Sequence, residues 1–321
     1  AINILGVDEL SGLHWNCETN QLFAVSDNGK LYVLQYDSVT DKFSLAGSLR
    51  KLGSPEDVMQ VDLGAKEFYT IDEKMFEIRR FAFNAGYSKC GLVHTWNLLS
   101  FNGGMQDTGN DGPEGIEFVP DSYLKNAGFV SADTGLPCTS KKGMGGLVFI
   151  AHQKKGLIWV YDVNPDKDDD FELVGKYKTS QGESCDLSFD RSTGLLYVLH
   201  NTDLNSLEVT DLNTEIQGGK VKFVTKAEYP VPNPAGGSDN IEGFAIMPKF
   251  ANPARVGAWF CRDISHHETV EAQKDCLRWY RPVKSGGNEV KNWKIRLEPW
   301  EGDCKSFRPD FKSGLRKDDR L

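Results

Sequence analysis

A chain of 321 residues with 39% hydrophobic content, 32 glycines and 13 prolines has apolar mass for a large core and turn residues enough to divide it into many short elements. Its net charge of −9 argues against nucleic acid as a partner, because phosphate binding is driven by Lys and Arg. No apolar run approaches the roughly 18 residues of a membrane span, and the start at Ala1 without a basic leader is the expectation for a mature secreted product, a cytosolic chain being the alternative.

In chain order the sequence repeats one grammar: an acidic start, then four short strand-like runs separated by Gly, Asp and Asn turns. The first unit reads ELSGLHWN, QLFAVSDN, KLYVLQYD and FSLAGSLR. The second reads EDVMQVDL, EFYTIDE, EIRRFAF and GLVHTWNL. The third, EGIEFVP, GLVFIAH, GLIWVYDV and FELVGKYK, carries an insertion from Asp121 to Met144. The fourth gives CDLSFD, LLYVLHN, SLEVTDL and VKFVTKAEY, and the fifth EGFAIMP, VGAWFC, CLRWYRP and WKIRLEP. Four strands per unit, without a competing helical period, predicts an all-β fold: one five-bladed β-propeller spanning residues 1–321. The blades fall near 8–53, 54–105, 106–180, 181–235 and 236–300. INILG at the start is a candidate strand to complete the last blade, and a six-blade count with a unit from Pro299 is the alternative.

First strands line a propeller's channel, so their acidic starts converge. Glu9, Glu56, Glu114, Glu183 and Glu242 are therefore expected as a ring, with Ser11 and Ser184 beside it and Asp57, Asp186 and Asn240 as further oxygens. Carboxylates 6–8 Å apart repel by about 2–3 kcal/mol per pair at an effective dielectric of about 20. Summed over the ring this is on the order of 20 kcal/mol, more than the roughly 5–15 kcal/mol net stability of a domain. The ring must bind a cation, take up protons or open out. Hard oxygen ligands favour Ca²⁺, with Mg²⁺ second. The alternative for each acid taken singly is a strand start or a turn-amide acceptor.

The second strands run back to the same face and end in Asp27-Asn28, Asp72-Glu73, His152-Gln153, His200-Asn201 and Arg262-Asp263. His152 and His200 are candidate acids or bases, and Arg262 and Lys154 candidate partners of an anionic substrate; solvated strand ends are the alternative. The run DVNPDKDDDFEL has Lys167 and Leu173 where an EF-hand needs Gly and Glu, so a hairpin is expected there rather than a calcium loop. Seven cysteines include no CxxC; Cys261 and Cys276 are the first candidate disulfide, and free thiols the alternative.

ELSGLHWNCETNQLFAVSDNGKLYVLQYD, PEDV, YTIDEKMFEIRRF and GPEGIEF resemble the propellers called SdiA-regulated proteins and the esterase-like phytase domain, over residues 9–119 and again at IEGFAIMP. One acid or serine per blade around an axial calcium also resembles the calcium-activated nucleotidases, or apyrases. That resemblance implies a ligand set of Glu56, Glu114 and Glu242 with Ser11 or Glu9 and Glu183 or Ser184, although no apyrase substrate motif is matched. The expectation is an extracellular calcium-dependent hydrolase of phosphate esters or anhydrides acting on a small anionic substrate. A non-catalytic calcium-stabilised binding propeller is the rival, and an enzyme of an apolar metabolite, including an oxidoreductase, the third reading.

Overall fold

The computed structural model describes residues 9–37, 42–99, 104–202, 205–231, 240–247, 258–264, 276–284 and 293–296. Among these the chain is all-β apart from one short helix, and its strands follow one another as antiparallel meanders. The first is β1 (Leu10–Asn16), β2 (Gln21–Ser26), β3 (Lys30–Asp37) and β4 (Lys42–Arg50). The second is β5 (Pro55–Met59), β6 (Glu67–Asp72), β7 (Glu77–Phe83) and β8 (Cys90–Asn97). The third is β9 (Pro113–Pro120), β10 (Gly146–His152), β11 (Leu157–Val163) and β12 (Phe171–Lys178). The fourth comprises β13 (Asp186–Asp190), β14 (Leu195–His200), β15 (Ser206–Gln217) and β16 (Lys220–Pro230), and the fifth β17 (Ile241–Ile246), β18 (Ala258–Arg262), β19 (Leu277–Lys284) and β20 (Trp293–Arg296). The third and fourth meanders join as one eight-stranded sheet through a parallel bridge between Lys178 and Lys222.

The first strands touch in a cycle: β1 packs on β5 and β17, β5 on β9, β9 on β13, and β13 on β17. Each meander buries both faces, which is why QLFAVS and GLVFIAH read as continuous apolar runs rather than alternating ones. Along β2, Leu22 and Ala24 enter the cluster shared with the fifth unit, whereas Phe23 and Val25 enter the one shared with the second. The same alternation builds clusters between the second and third units, the third and fourth, and the fourth and fifth. Burying side chains of this size contributes about 1.5–3 kcal/mol each.

The insertion after β9 opens with the helix α1 (Asp121–Ala127). Asp121 suits its first turn and Lys125 its last, and Gly128, at φ 63°, closes it with its N–H directed to the Leu124 and Lys125 carbonyls. Leu124 and Phe129 then pack into the core between the third and fourth units. The DVNPDKDDDFEL run is a hairpin connection, as expected, and it covers the edge of β8. Asp168 Oδ1 accepts from Thr95 N at 3.0 Å, Asp169 Oδ1 from Asn97 N at 2.8 Å, and the Lys167 carbonyl from Trp96 Nε1 at 2.8 Å. These contacts satisfy edge amides that would otherwise invite another strand.

The expected disulfide is corrected. Cys261 faces Leu277 across the β18–β19 ladder while Cys276 accepts the Arg262 amide through its carbonyl, so the two cysteines are offset by one residue. The two form no disulfide with each other, and Cys17, Cys90, Cys138, Cys185 and Cys261 are free thiols. Cys304, INILG and the stretch from Pro299 lie outside the described residues.

Candidate functional site

Every first strand is paired on one side only, so its inner edge carries amides that the ladder leaves without acceptors. Two aspartates answer most of this need. Asp57 accepts from Val58 N at 2.6 Å and Ile116 N at 2.7 Å, and Asp186 from Leu187 N at 2.5 Å and from Phe244 N. Both are fully buried and hydrogen bond to each other, so one of them carries a proton. Burial pushes both well above the usual carboxylate range, and the Asp186 charge raises Asp57 further. Room for them comes from Gly12 and Gly115, where a Cβ would overlap Asp57 and Asp186 respectively. One step along the strands, Glu117 accepts from Phe118 N at 2.7 Å and Phe189 N at 2.9 Å. Burial lifts Glu117 to about 7 against the opposing pull of Arg191. These carboxylates are clamps between neighbouring strands.

Register then sorts the expected ring residues. The β1–β2, β5–β6, β9–β10 and β17–β18 ladders each slip at one position, leaving Ser11, Glu56, Glu114 and Glu242 as the extra residue. In the fourth unit the equivalent position, just before Asp186, is Cys185. Glu183 and Ser184 precede it, and Glu9 precedes the slip in β1. Among the sequence-predicted oxygens, Glu56, Glu114, Glu242 and Ser11 thus share a register, whereas Glu9, Glu183 and Ser184 do not.

The three ring glutamates repel one another. Burial, then Glu73 and Asp27, lifts Glu56 to about 8. Glu114 is raised well above its ordinary value by burial, Glu56, Glu73 and Glu242, and Glu242 by burial, Asp263 and Glu56. Glu73 is itself raised by burial, and it shares a hydrogen bond with Glu114 while accepting from Gly112 N at 3.2 Å. At the rim, Glu9 Oε2 accepts from Asn28 Nδ2 at 3.2 Å, and Asp27 and Asp263 are raised by burial and by Glu9. Asn240 Nδ2 donates to Glu242 Oε1 at 2.6 Å while its oxygen accepts from Asn201 Nδ2 at 2.8 Å. The donor set is oxygen, which suits a hard cation; the buried Cys185 thiol is raised well above its usual pKa and stays neutral. Among the described residues, no three His, Cys, Asp or Glu side chains already stand as a metal-binding group.

The second-strand ends also share a register: Ser26, Asp72, His152, His200 and Arg262 face Leu10, Pro55, Pro113, the segment before Asp186, and Ile241. Asp72 shows the work of this position. It accepts from Ser54 N at 2.9 Å and pairs with Arg79, whose Nη1 also holds the Leu52 carbonyl at 3.1 Å, pinning the link into β5. His200 does the same for the link into β13. Its Nδ1 lies 2.6 Å from the Glu183 carbonyl and its Nε2 3.1 Å from Glu208 Oε2. A carbonyl only accepts, so Nδ1 donates to it and is not a base toward Ser184 Oγ at 3.3 Å. Ser184, His200 and Glu208 are all fully buried. His152 Nδ1 accepts from Lys154 N at 3.2 Å; burial and Lys154 lower its pKa to about 4. Lys154 Nζ lies 3.7 Å from Asp111 rather than beside the ring acids. Sequence reasoning had placed Glu73 only as a strand end and had missed Glu117, whose signal was a lone carboxylate inside the apolar run EGIEFVP.

No protein-family model matches the chain, and no curated protein matches it. Among solved structures it is similar to Sqt1 of Saccharomyces cerevisiae, at 9% identity and TM-score 0.39, covering 89% of this chain and 79% of that one. It is also similar to Raptor of Chaetomium thermophilum, at 13% identity and TM-score 0.42, covering 84% of this chain and 21% of that one.

Proposed function

We propose that the chain is a five-bladed β-propeller that binds a hard divalent cation, calcium before magnesium, at the ring of Glu56, Glu114 and Glu242 with Ser11, and that it acts as a cation-stabilised binding protein. One observation carries this reading: four units place an oxygen-bearing side chain at the same slipped register of strands packed in a cycle. Three of those side chains are carboxyls raised by burial and by neighbouring carboxylates, Glu114 by Glu56 and Glu242, Glu242 by Glu56, and Glu56 by Glu73 and Asp27. A divalent cation replaces the protons such a cluster otherwise needs. Binding requires Glu114 to give up its hydrogen bond with Glu73.

The binding role is favoured over hydrolysis because His152 and His200, the two imidazoles expected as acid or base, are buried and engaged with their own loops. Calorimetric titration with calcium, after chelation, tests the reading: heat that disappears in Glu114→Gln supports it, and no heat in the parent protein refutes it. Turnover of a phosphate ester, anhydride or carboxylic ester, lost on His152→Gln, would reinstate the hydrolase.

A further inference from the structure

In the fourth unit the ring register holds a thiol. Cys185 Sγ is directed at the Leu199 and Ile241 carbonyls, 3.4 and 3.8 Å away, so this unit can supply an oxygen only from a neighbouring residue. Glu183, two residues before Cys185, is the carboxylate nearest to it in sequence on that side. Its carboxylate accepts from Gln153 Nε2 at 3.1 Å, and Gln153 Oε1, buried beside it, has no hydrogen-bond partner among the described residues.

The main chain of Glu183 is gripped from behind. His200 Nδ1 holds its carbonyl at 2.6 Å, Glu208 holds His200 Nε2 at 3.1 Å, and Glu208 is fixed by Ser180 N at 2.8 Å and Thr225 Oγ1 at 2.5 Å. Thr179 Oγ1 ties the same link to the Gly156 carbonyl at 2.9 Å in the third unit. Loop residues 179–184 are therefore anchored in two units at once, and the freedom left to Glu183 is that of its side chain.

We propose that Glu183 is the fourth unit's oxygen ligand in the cation site and that the buried His200–Glu208 pair is its positioning element. The proposal rests on the cation-binding reading above. Its second half concerns His200 and Glu208 alone: these residues set affinity without meeting the ion.

The test is calcium titration of the parent protein, Glu183→Gln, the paired variant His200→Gln/Glu208→Gln, and the triple combination. Replacing both members of the pair avoids stranding one buried charge. Glu183→Gln is expected to weaken binding about 10-fold or more, and the paired variant by about 10-fold, the usual scale for groups that orient a ligand. The triple variant should bind no more weakly than Glu183→Gln, because the pair acts only through Glu183. Parent-like affinity in the paired variant, or a loss that adds in full to that of Glu183→Gln, overturns the positioning role while calcium binding stands. A parent protein without calcium affinity overturns both readings. Should the paired variant lose its melting transition, Thr225→Val loosens Glu208 without touching His200. A weakening by a few fold, absent in the Glu183→Gln background, then supports the proposal, and no weakening, or the same weakening in that background, overturns it.

Discussion

Raising the pH of the chelated protein is the most direct perturbation of the acidic ring. Glu56 moves from an ordinary 4.5 to about 8 on folding, so between those values the folded chain holds a proton that the unfolded chain has released. A carboxyl shifted upward contributes stability that is complete below its unfolded pKa and is lost as pH rises through the folded one. The full span is about 3.5 units, or about 5 kcal/mol. His14 and His152 oppose this at lower pH, since burial drops them from 6.5 to about 3 and about 4, and stability linked to them is lost as pH falls below 6.5. The window to read is pH 6.5 to 8, where the folded histidines are neutral and the unfolded ones give up their last protons; Glu117, lifted to about 7, titrates there too, so the Glu56 contribution is the difference between the parent protein and Glu56→Gln.

Within it Glu56 alone should remove about 2 kcal/mol of folding stability, at about 1.4 kcal/mol per pH unit while the folded form stays protonated. Urea denaturation in chelator at half-unit steps would show it as a falling midpoint. Glu56→Gln should reduce the slope, and calcium at 100 times its dissociation constant should add back about 2.7 kcal/mol. A Glu56→Gln profile parallel to that of the parent protein across this window would refute the electrostatic account of the ring.

Four other outcomes follow from the geometry. Asp186→Ala strands the Leu187 and Phe244 amides at a buried site and should cost roughly 2–6 kcal/mol by denaturation, at about 1–3 per unmet group. Glu117→Gln turns an N–H toward one of two donors, Phe118 or Phe189, and should cost about 1–3 kcal/mol at pH 8, measured the same way. Phe149→Ala, in the core between the third and fourth units, should cost about 3–5 kcal/mol. Asp168→Ala/Asp169→Ala should leave the calcium stoichiometry unchanged in calorimetry, since those carboxylates serve the β8 edge.

The repeat was legible because both faces of each meander are buried, and runs such as QLFAVS and GLVFIAH admit few readings other than strands. What single-sequence reasoning could not fix was register. Glu9 and Glu183 look like ring members by their distance from an apolar run, but a one-residue slip in the β1–β2 ladder puts Ser11 at the shared position, and the unbroken register of β13 on β14 puts Cys185 there. That slip is a property of pairing, and pairing is decided by β2 and β14 as much as by the strand that carries the acid. The surroundings of the histidines are hidden from the sequence for a related reason. A His at the end of a second strand faces solvent or the next link according to how tightly that link folds back, and at His200 the fold-back is made by Ser180, Glu208 and Thr225, which are 20, 8 and 25 residues away in sequence.

The first strands gather acids for a reason of their own. Strands gathered edge-first around a line expose amides that have no strand to pair with, and a carboxylate accepts two of them at once, as Asp57, Asp186 and Glu117 do. Glu56, Glu114 and Glu242 stand one residue before this layer or at its mouth, and no amide donor is directed at Glu56 or Glu114 among the described contacts. On β5 and β9 an acid that holds backbone amides, Asp57 or Glu117, thus shares the strand with one that holds none, Glu56 or Glu114. The second group bears the electrostatic cost of clustering, and on physical grounds it is the group that protons or a cation must relieve.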